Sequence, residues 1–449
     1  MRRLVLKNAR IVPMTEEPQS FDGYVRVNDG AIIEVKAGSP QISSEEAVID
    51  AAGCVLMPGL INAHTHLYQV LLRAVWEDLP LLPWLARIYG AARVLRPEHF
   101  YSGTQLGCAE AIQTGVTTLC EHNFLNPEPE CAFETVRAIR DSGLRAVFAR
   151  TIMDTGDMVP DCVKESSEHA FRHIEAIIAA HNDSTLLSFM TGPNTPPLNT
   201  TPGLLADIQR FADEKSIGIS AHVAESQSVV DFTRENHGSS GVVEFLDGFG
   251  IASHRSIFAH CVHLADYEIE ILQRRGASVS HNPVSNMMLG DGVAPVVAML
   301  RHGVNVALGT DGAASNHSQD LFETMKTASL LQKVHHRDAG VIDPYAVLRM
   351  ATVGGAQALG LASLCGSVVA GKRADLILVR LETLHSQPVN DLFSQLVHCA
   401  KAADVQTVII DGRVLMRDRE LQMIDEEKVL EEAQAANRNL RTRLDSLCL

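Results

Sequence analysis

Two histidines one residue apart, His64 and His66, close an apolar run in "CVLMPGLINAHTHLYQ". On a continuing strand, residues i and i+2 face the same way, so the two imidazoles can reach one ion. Four later β-prone runs, "IGISAHVAES", "SIFAHCVH", "SVSHNP" and "VNVALGTDGAASN", end in the same style, at His222 and Glu225, His260 and His263, His281, and Asp311. Singly, each reads as a core histidine or a helix-capping aspartate; together, at successive strand ends, they read as a site. A divalent ion takes three or four N or O ligands at about 2.0–2.2 Å, one position being left for water where the site is catalytic. His64, His66, His222 and Asp311 supply such a set. An ion held there lowers the pKa of its water from about 15.7 to about 7. Glu225, three residues beyond His222, is placed to move protons without being a ligand, and His260 to hold an attacking hydroxide or a developing oxyanion by hydrogen bond.

Side chains so scattered along the chain need a scaffold that gathers strand ends. Short apolar, β-branched runs occur at 55–61, 115–120, 144–150, 185–191, 217–223, 256–261, 277–281 and 304–309, most of them separated by helical segments such as "PGLLADIQRFADEK" and "LFETMKTASLLQKV". Strands alternating with helices imply a parallel sheet with right-handed crossovers. Eight units, with no Gly-x-Gly-x-x-Gly opening the first helix, favour a closed (β/α)8 TIM barrel over an open sheet. Chemistry in such a barrel sits at the C-terminal strand ends. The two chain ends look different: Asn28-Asp29-Gly30 and Asp411-Gly412 are hairpin signals between β-prone residues, and "GSVVAGKRADLILV" adds a turn and a strand. Residues 1–57 and 366–449 are therefore expected to pair as one small β domain with a polar helix at 421–445, around a barrel of residues 58–365.

Composition narrows the partners. With 38 Lys plus Arg against 54 Asp plus Glu, the net charge is −16, which disfavours nucleic acid and anionic lipid and leaves a small molecule. The nine cysteines are scattered and include no Cys-x-x-Cys, so neither a disulfide framework nor a zinc knuckle is indicated, and reduced thiols in a cytoplasm are expected. The start, "MRRLVLKNARIV", is broken by Lys7, Asn8 and Arg10 and fails as a signal peptide; no run has the length of a membrane span; Cys448 lies too near the end for a prenylation box. Self-association is left open.

The set "HTH", "HVAE", "AHCVH", "SHNPVSNMMLGDGVAPV" and "LGTDGAASN" resembles the amidohydrolase superfamily, and within it the clade of heterocycle deaminases and s-triazine hydrolases; "PGLINAHTH", "AGKRADLILV" and "VIIDGRVL" extend the likeness over nearly the whole chain. The resemblance implies a distorted (β/α)8 barrel with a β-sandwich made from both ends. It implies one metal ion, zinc or iron, on His64, His66, His222 and Asp311, with Glu225 and His260 handling protons and Asp311 helping to protonate the leaving amine. Binuclear members bridge two ions with a strand-4 lysine, and "LLSFMTGPN" has none. The implied reaction is deamination of an amino-substituted nitrogen heterocycle. The alternatives are displacement of chloride or an alkylamine from an s-triazine, deamination of a methylthioadenosine, S-adenosylhomocysteine or adenosine-type nucleoside, and a non-catalytic metal-binding barrel.

Substrate contacts are expected from Trp84, with Trp76 and Leu79, in "QVLLRAVWEDLPLLPWL"; from Glu121, with His122 and Asn123, at the end of strand 2; from Arg150 at the end of strand 3; and from Asn194. His281 is divided equally between pocket and packing, and His263 is expected to be structural. Nucleoside deaminases of the clade usually carry a histidine in the strand-4 "GPH-S-P" turn and a glutamate after the "WL" helix, which together hold the ribose. Here the turn is "GPNTP", with Asn194, and no carboxylate lies between Trp84 and Glu98, which points to a free purine, pterin, pyrimidine or triazine.

Overall fold

Asp29 and Gly30 both take positive φ, +48° and +80°, the geometry of a two-residue turn whose twist matches the strands it joins, Phe21–Asn28 and Ala31–Ala37. Asp411 and Gly412 repeat it, at +53° and +72°, between Val405–Ile410 and Arg413–Arg417. Both hairpins belong to one mixed sheet. In a computed structural model that describes residues 3–447, its order runs from Glu420–Leu421 through Arg413–Arg417, Val405–Ile410, Leu376–Arg380, Cys54–Pro58, Arg3–Ile11 and Phe21–Asn28 to Ala31–Ala37, with Ala47–Asp50 added beside Arg3–Ile11. Cys448 lies outside the described residues. The junction of the two chain ends is the antiparallel pair Cys54–Pro58 and Leu376–Arg380, in which Val55 faces Val379. Leu6, Ile11, Val25, Leu56, Leu376 and Ile409 pack as a core separate from the barrel's.

The barrel strands are β1 (Leu60–Thr65), β2 (Val116–Asn123), β3 (Arg145–Ile152), β4 (Leu187–Pro193), β5 (Gly218–Val223), β6 (Ser256–His260), β7 (Ser278–His281) and β8 (Val306–Leu308). They pair in parallel, in sequence order. The edges β1 and β8 are drawn together at the top, where the Asp311 amide donates to the His64 carbonyl at 2.9 Å and the Thr310 amide to Asn62 Oδ1 at 3.0 Å. The architecture is thus the nearly closed (β/α)8 barrel with a second sheet from both ends.

One expected strand is really two. The run 55–61 divides at Gly59: Cys54–Pro58 lies in the mixed sheet and Leu60–Thr65 in the barrel. A Cβ at Gly59 would sit 2.0 Å from the Thr117 side chain, so only glycine lets the chain pass from one sheet to the other there. The apolar run hides this division because both halves are buried. The terminal helix begins later than expected, spanning Glu426–Ser446, because Asp425 caps it by accepting from the Lys428 amide.

Sheet and barrel are also joined by a buried ion pair. Arg145, first residue of β3, donates from Nε to Asp375 Oδ2 at 2.6 Å and from Nη2 to Oδ1 at 3.2 Å, and the Asp411 amide donates to the same Oδ1 at 2.8 Å. Among the described residues, no helix is long and apolar enough to cross a membrane.

Candidate functional site

β1, β5, β6 and the loop after β8 bring His64, His222, His260 and Asp311 together so that one ligand atom from each lies within 4.8 Å of the others. All four side chains are buried. His66 joins them, its Nε2 3.2 Å from Asp311 Oδ1 and 3.3 Å from His222 Nε2. Asp311 has φ +64°, a strained setting for a non-glycine residue, and both its oxygens are tied: Ser285 Oγ donates to Oδ2 at 2.6 Å and the Gly312 amide to Oδ1 at 2.7 Å.

Hydrogen bonds on the far ring nitrogens sort the histidines. Nδ1 of His66 lies 2.6 Å from the His122 carbonyl and Nδ1 of His222 lies 3.0 Å from the Asn194 carbonyl. A carbonyl only accepts, so each Nδ1 carries the proton and each Nε2 presents a lone pair inward. His260 is opposite: its Nδ1 accepts from Asn286 Nδ2 at 2.9 Å, which puts the proton on Nε2, 3.5 Å from Glu225 Oε1. The tautomers thus make His66 and His222 lone-pair donors and His260 a hydrogen-bond donor.

Charge states follow from burial. Desolvation lowers His64, pushes His222 well below its ordinary value and takes His260 to about 3, so these rings are neutral. Burial works to raise Asp311, but the His64 and His66 rings, with Nε2 3.5 and 3.2 Å from its Oδ1, prevail and hold its carboxyl well below the usual range. Burial, then the negative charges of Asp291 and Asp311, push Glu225 well above it. At His66 burial works downward too, but the Asp311 carboxylate prevails and raises it, so an ion must displace a proton there; imidazole nitrogens and one carboxylate are the donor set a divalent cation requires. Nε2 of His64, buried and without a hydrogen-bond partner, also fits a ligand position. β4 contains no lysine to bridge a second ion.

Beside this cluster lies a narrow inner cavity lined by His66, Gln69, Trp84, Asn194, His222, Glu225 and Asp311, among others. Trp84 and Asn194 therefore reach the place expected of them. Arg150 does not: its guanidinium is buried against the Thr151 carbonyl, 2.5 Å from Nη1, and in an ion pair with Glu165. Glu121 is not in the lining either; its Oε2 accepts from the Leu67 amide at 2.7 Å, and burial raises its pKa to about 7. His281 is fully buried with neither ring nitrogen hydrogen-bonded, outside the lining. Trp76 and Leu79 are partly buried against the core. His263 donates from Nε2 to the Asp291 carbonyl at 2.7 Å, holding the loop after β7.

Gln69 escaped the sequence reading. It is fully buried, neither amide atom has a hydrogen-bond partner, and it lines the cavity. Its signal was spacing, three residues beyond His66 in the helical turn Leu67–Leu72 that follows β1.

This geometry has close relatives. The chain is 38% identical to the 5'-deoxyadenosine deaminase of Methanosarcina mazei, over 99% of this chain and 100% of that one. It is 37% identical to the 5-methylthioadenosine/S-adenosylhomocysteine deaminase of Syntrophomonas wolfei, over 98% and 99%. Among solved structures, the zinc-bound adenosine deaminase of Xanthomonas campestris superposes with a TM-score of 0.91 at 31% identity, covering 98% of each chain. The profile of the amidohydrolase family matches residues 55–415, and with relatives of this identity along its whole length the chain belongs to the amidohydrolase family.

Proposed function

We propose that this amidohydrolase is a zinc-dependent deaminase that replaces the ring amine of an adenosine-type nucleoside with a carbonyl oxygen and releases ammonia. The observation that carries the hydrolytic reading is the convergence of His64, His66, His222 and Asp311 with Glu225 and His260 beside them. The nucleoside is supported by relatives named for deaminating 5'-deoxyadenosine and 5-methylthioadenosine/S-adenosylhomocysteine, and zinc by the Xanthomonas structure.

His64, His66, His222 and Asp311 would hold the ion. When bound, it supplies a Lewis acid that lets water lose a proton near neutral pH. Glu225 takes that proton and passes it to the ring nitrogen beside the attacked carbon, which becomes tetrahedral; burial, which favours the proton on Glu225, suits a group that must carry one. His260 donates its Nε2 proton in a hydrogen bond to the attacking oxygen. Asp311, ionised and fixed by Ser285 and Gly312, takes the remaining proton of the added hydroxyl as the carbonyl forms and hands it to the departing amine, which leaves as ammonia. Trp84 and Gln69 form the wall against which the flat ring rests.

A second reading, a free heterocyclic base, is favoured by Asn194. Its Oδ1 lies 3.2 Å from His122 Nε2, and its Nδ2 is 3.0 Å from the Tyr89 hydroxyl and 3.4 Å from Met153 sulfur, so its amide is already engaged and not free to grip a pair of ribose hydroxyls. The test is ammonia release from adenosine, its 5'-modified forms, adenine, cytosine, a pterin and an amino-triazine, with chloride and alkylamine release followed for s-triazines. The nucleoside reading expects the highest kcat/KM on an adenosine derivative. Activity confined to free rings turns the assignment to the second reading, and a metal-loaded protein that acts on none of them defeats both.

A further inference from the structure

The helix Leu321–His336 has a bare side. At roughly 100° per residue, Glu323, Leu330 and Val334 fall on one stripe, which Arg337, the residue that closes the helix, continues. All four are exposed, Leu330 by 48% and Val334 by 70%. Met287, 54% exposed, stands beside them, and with Leu330, Leu331 and Val334 it lines one apolar groove. So continuous an apolar surface, on a chain of net charge −16, marks a contact with another molecule.

Charge says which molecule. Glu323 lies at one end of the stripe and Arg337 at the other, with Leu330 midway between, and neither is in an ion pair among the described residues. The other charges are spent or turned aside. Lys333 gives its Nζ to the Ala339 carbonyl, and Asp338 accepts from the Gly340 amide at 2.8 Å. Lys326 and Lys333 stand near His398 on the flank, and His335 and His336, off the stripe, pack on each other with ring centroids 5.0 Å apart. A partner of one sign leaves either Glu323 or Arg337 against its own charge. A second copy, its helix antiparallel across a two-fold axis at Leu330, sets Glu323 against Arg337 of the partner subunit and repeats the pair on the other side of the axis.

We propose that this face is the isologous interface of a homodimer, with Leu330, Val334 and Met287 as its apolar centre and the Glu323 and Arg337 pairs as its ends. The interface lies directly behind the catalytic groups. Met287 ends up in the groove because the helix Pro283–Met288 turns it outward, and on the same helix Ser285 and Asn286 hold Asp311 and His260 from within.

Sedimentation equilibrium of the metal-loaded full chain, from nanomolar to tens of micromolar, reads the association. The wild type is expected to dimerise within that range. Leu330→Glu, which sets two like charges together on the axis, should raise the dimer Kd about 100-fold, and Glu323→Arg about tenfold. The exchanged protein Glu323→Arg, Arg337→Glu should return to within about threefold of the wild type, since the pair is remade with its signs reversed. These side chains are exposed, so an unchanged Tm checks that each variant folds. A wild type monomeric throughout overturns the proposal, and binding of that monomer, but not of Leu330→Glu, to phosphatidylserine vesicles would give the face to a membrane instead. A dimer indifferent to Leu330→Glu overturns it by placing the interface elsewhere, and an exchanged protein no better than Glu323→Arg overturns the antiparallel arrangement.

Discussion

Arg145 and Asp375 face each other at 2.6 and 3.2 Å across the boundary between barrel and mixed sheet, with side chains only 3% and 1% exposed. Removing one partner of so buried a pair strands the other charge, which costs about 3–5 kcal/mol. Asp375→Ala is therefore expected to lower stability by that amount in denaturant titration, and the doubly apolar Arg145→Met, Asp375→Leu protein to recover much of it. A single variant as stable as the wild type would show that the pair does not hold the two parts together.

Glu225→Gln keeps shape and removes the transferable proton. The expected protein binds its metal normally by elemental analysis and loses kcat by about 10²–10⁴-fold. Near-wild-type turnover would take the proton shuttle away from Glu225.

One divalent ion per chain is expected, since β4 offers no bridging lysine. His64→Ala should lose that ion together with activity, and a chelator should lower the Tm of the wild type, because a ligand bound only by the folded state stabilises it by mass action. Two ions per active chain, or full activity in His64→Ala, would be incompatible with the assignment.

Away from the metal site, His173 packs on Phe133 with ring centroids 5.4 Å apart and neither nitrogen hydrogen-bonded. Burial, aided by the nearby Arg150 charge, lowers its pKa from 6.5 to about 4. A depressed folded-state pKa means stability that is complete above 6.5 and is lost as pH falls toward 4. The Tm of the wild type should therefore drop more steeply over that window than the Tm of His173→Leu. Parallel curves would show that His173 does not contribute to acid sensitivity.

The strand ends were legible because chemistry and scaffold agree there: His64, His66, His222, His260 and Asp311 each follow an apolar run, and the barrel draws those ends to one point. Side-chain direction was not legible. Arg150 lies two residues before the end of β3, and its guanidinium pairs with Glu165, fifteen residues on in a loop whose path no periodicity reveals. Gln69 was overlooked for the complementary reason, since its spacing from His66 gains meaning only once both its amide atoms are seen buried without partners. The break at Gly59 was hidden in an apolar run that looks the same in either sheet, and only the closeness of Thr117 explains it.

The pairing of Val55 with Val379 sets a schedule for the ribosome. At about 5–20 residues per second, the strand Cys54–Pro58 waits roughly 15–60 s for Leu376–Arg380 to be made. Throughout that wait one edge of an apolar strand stands unpaired, beside an unfinished barrel whose Arg145 has yet to meet Asp375. The nascent chain is thus most open to misassociation late in synthesis, and slowing translation just before residue 376 should lower its soluble yield more than slowing it after residue 417, by which point Arg413–Arg417 has joined the sheet.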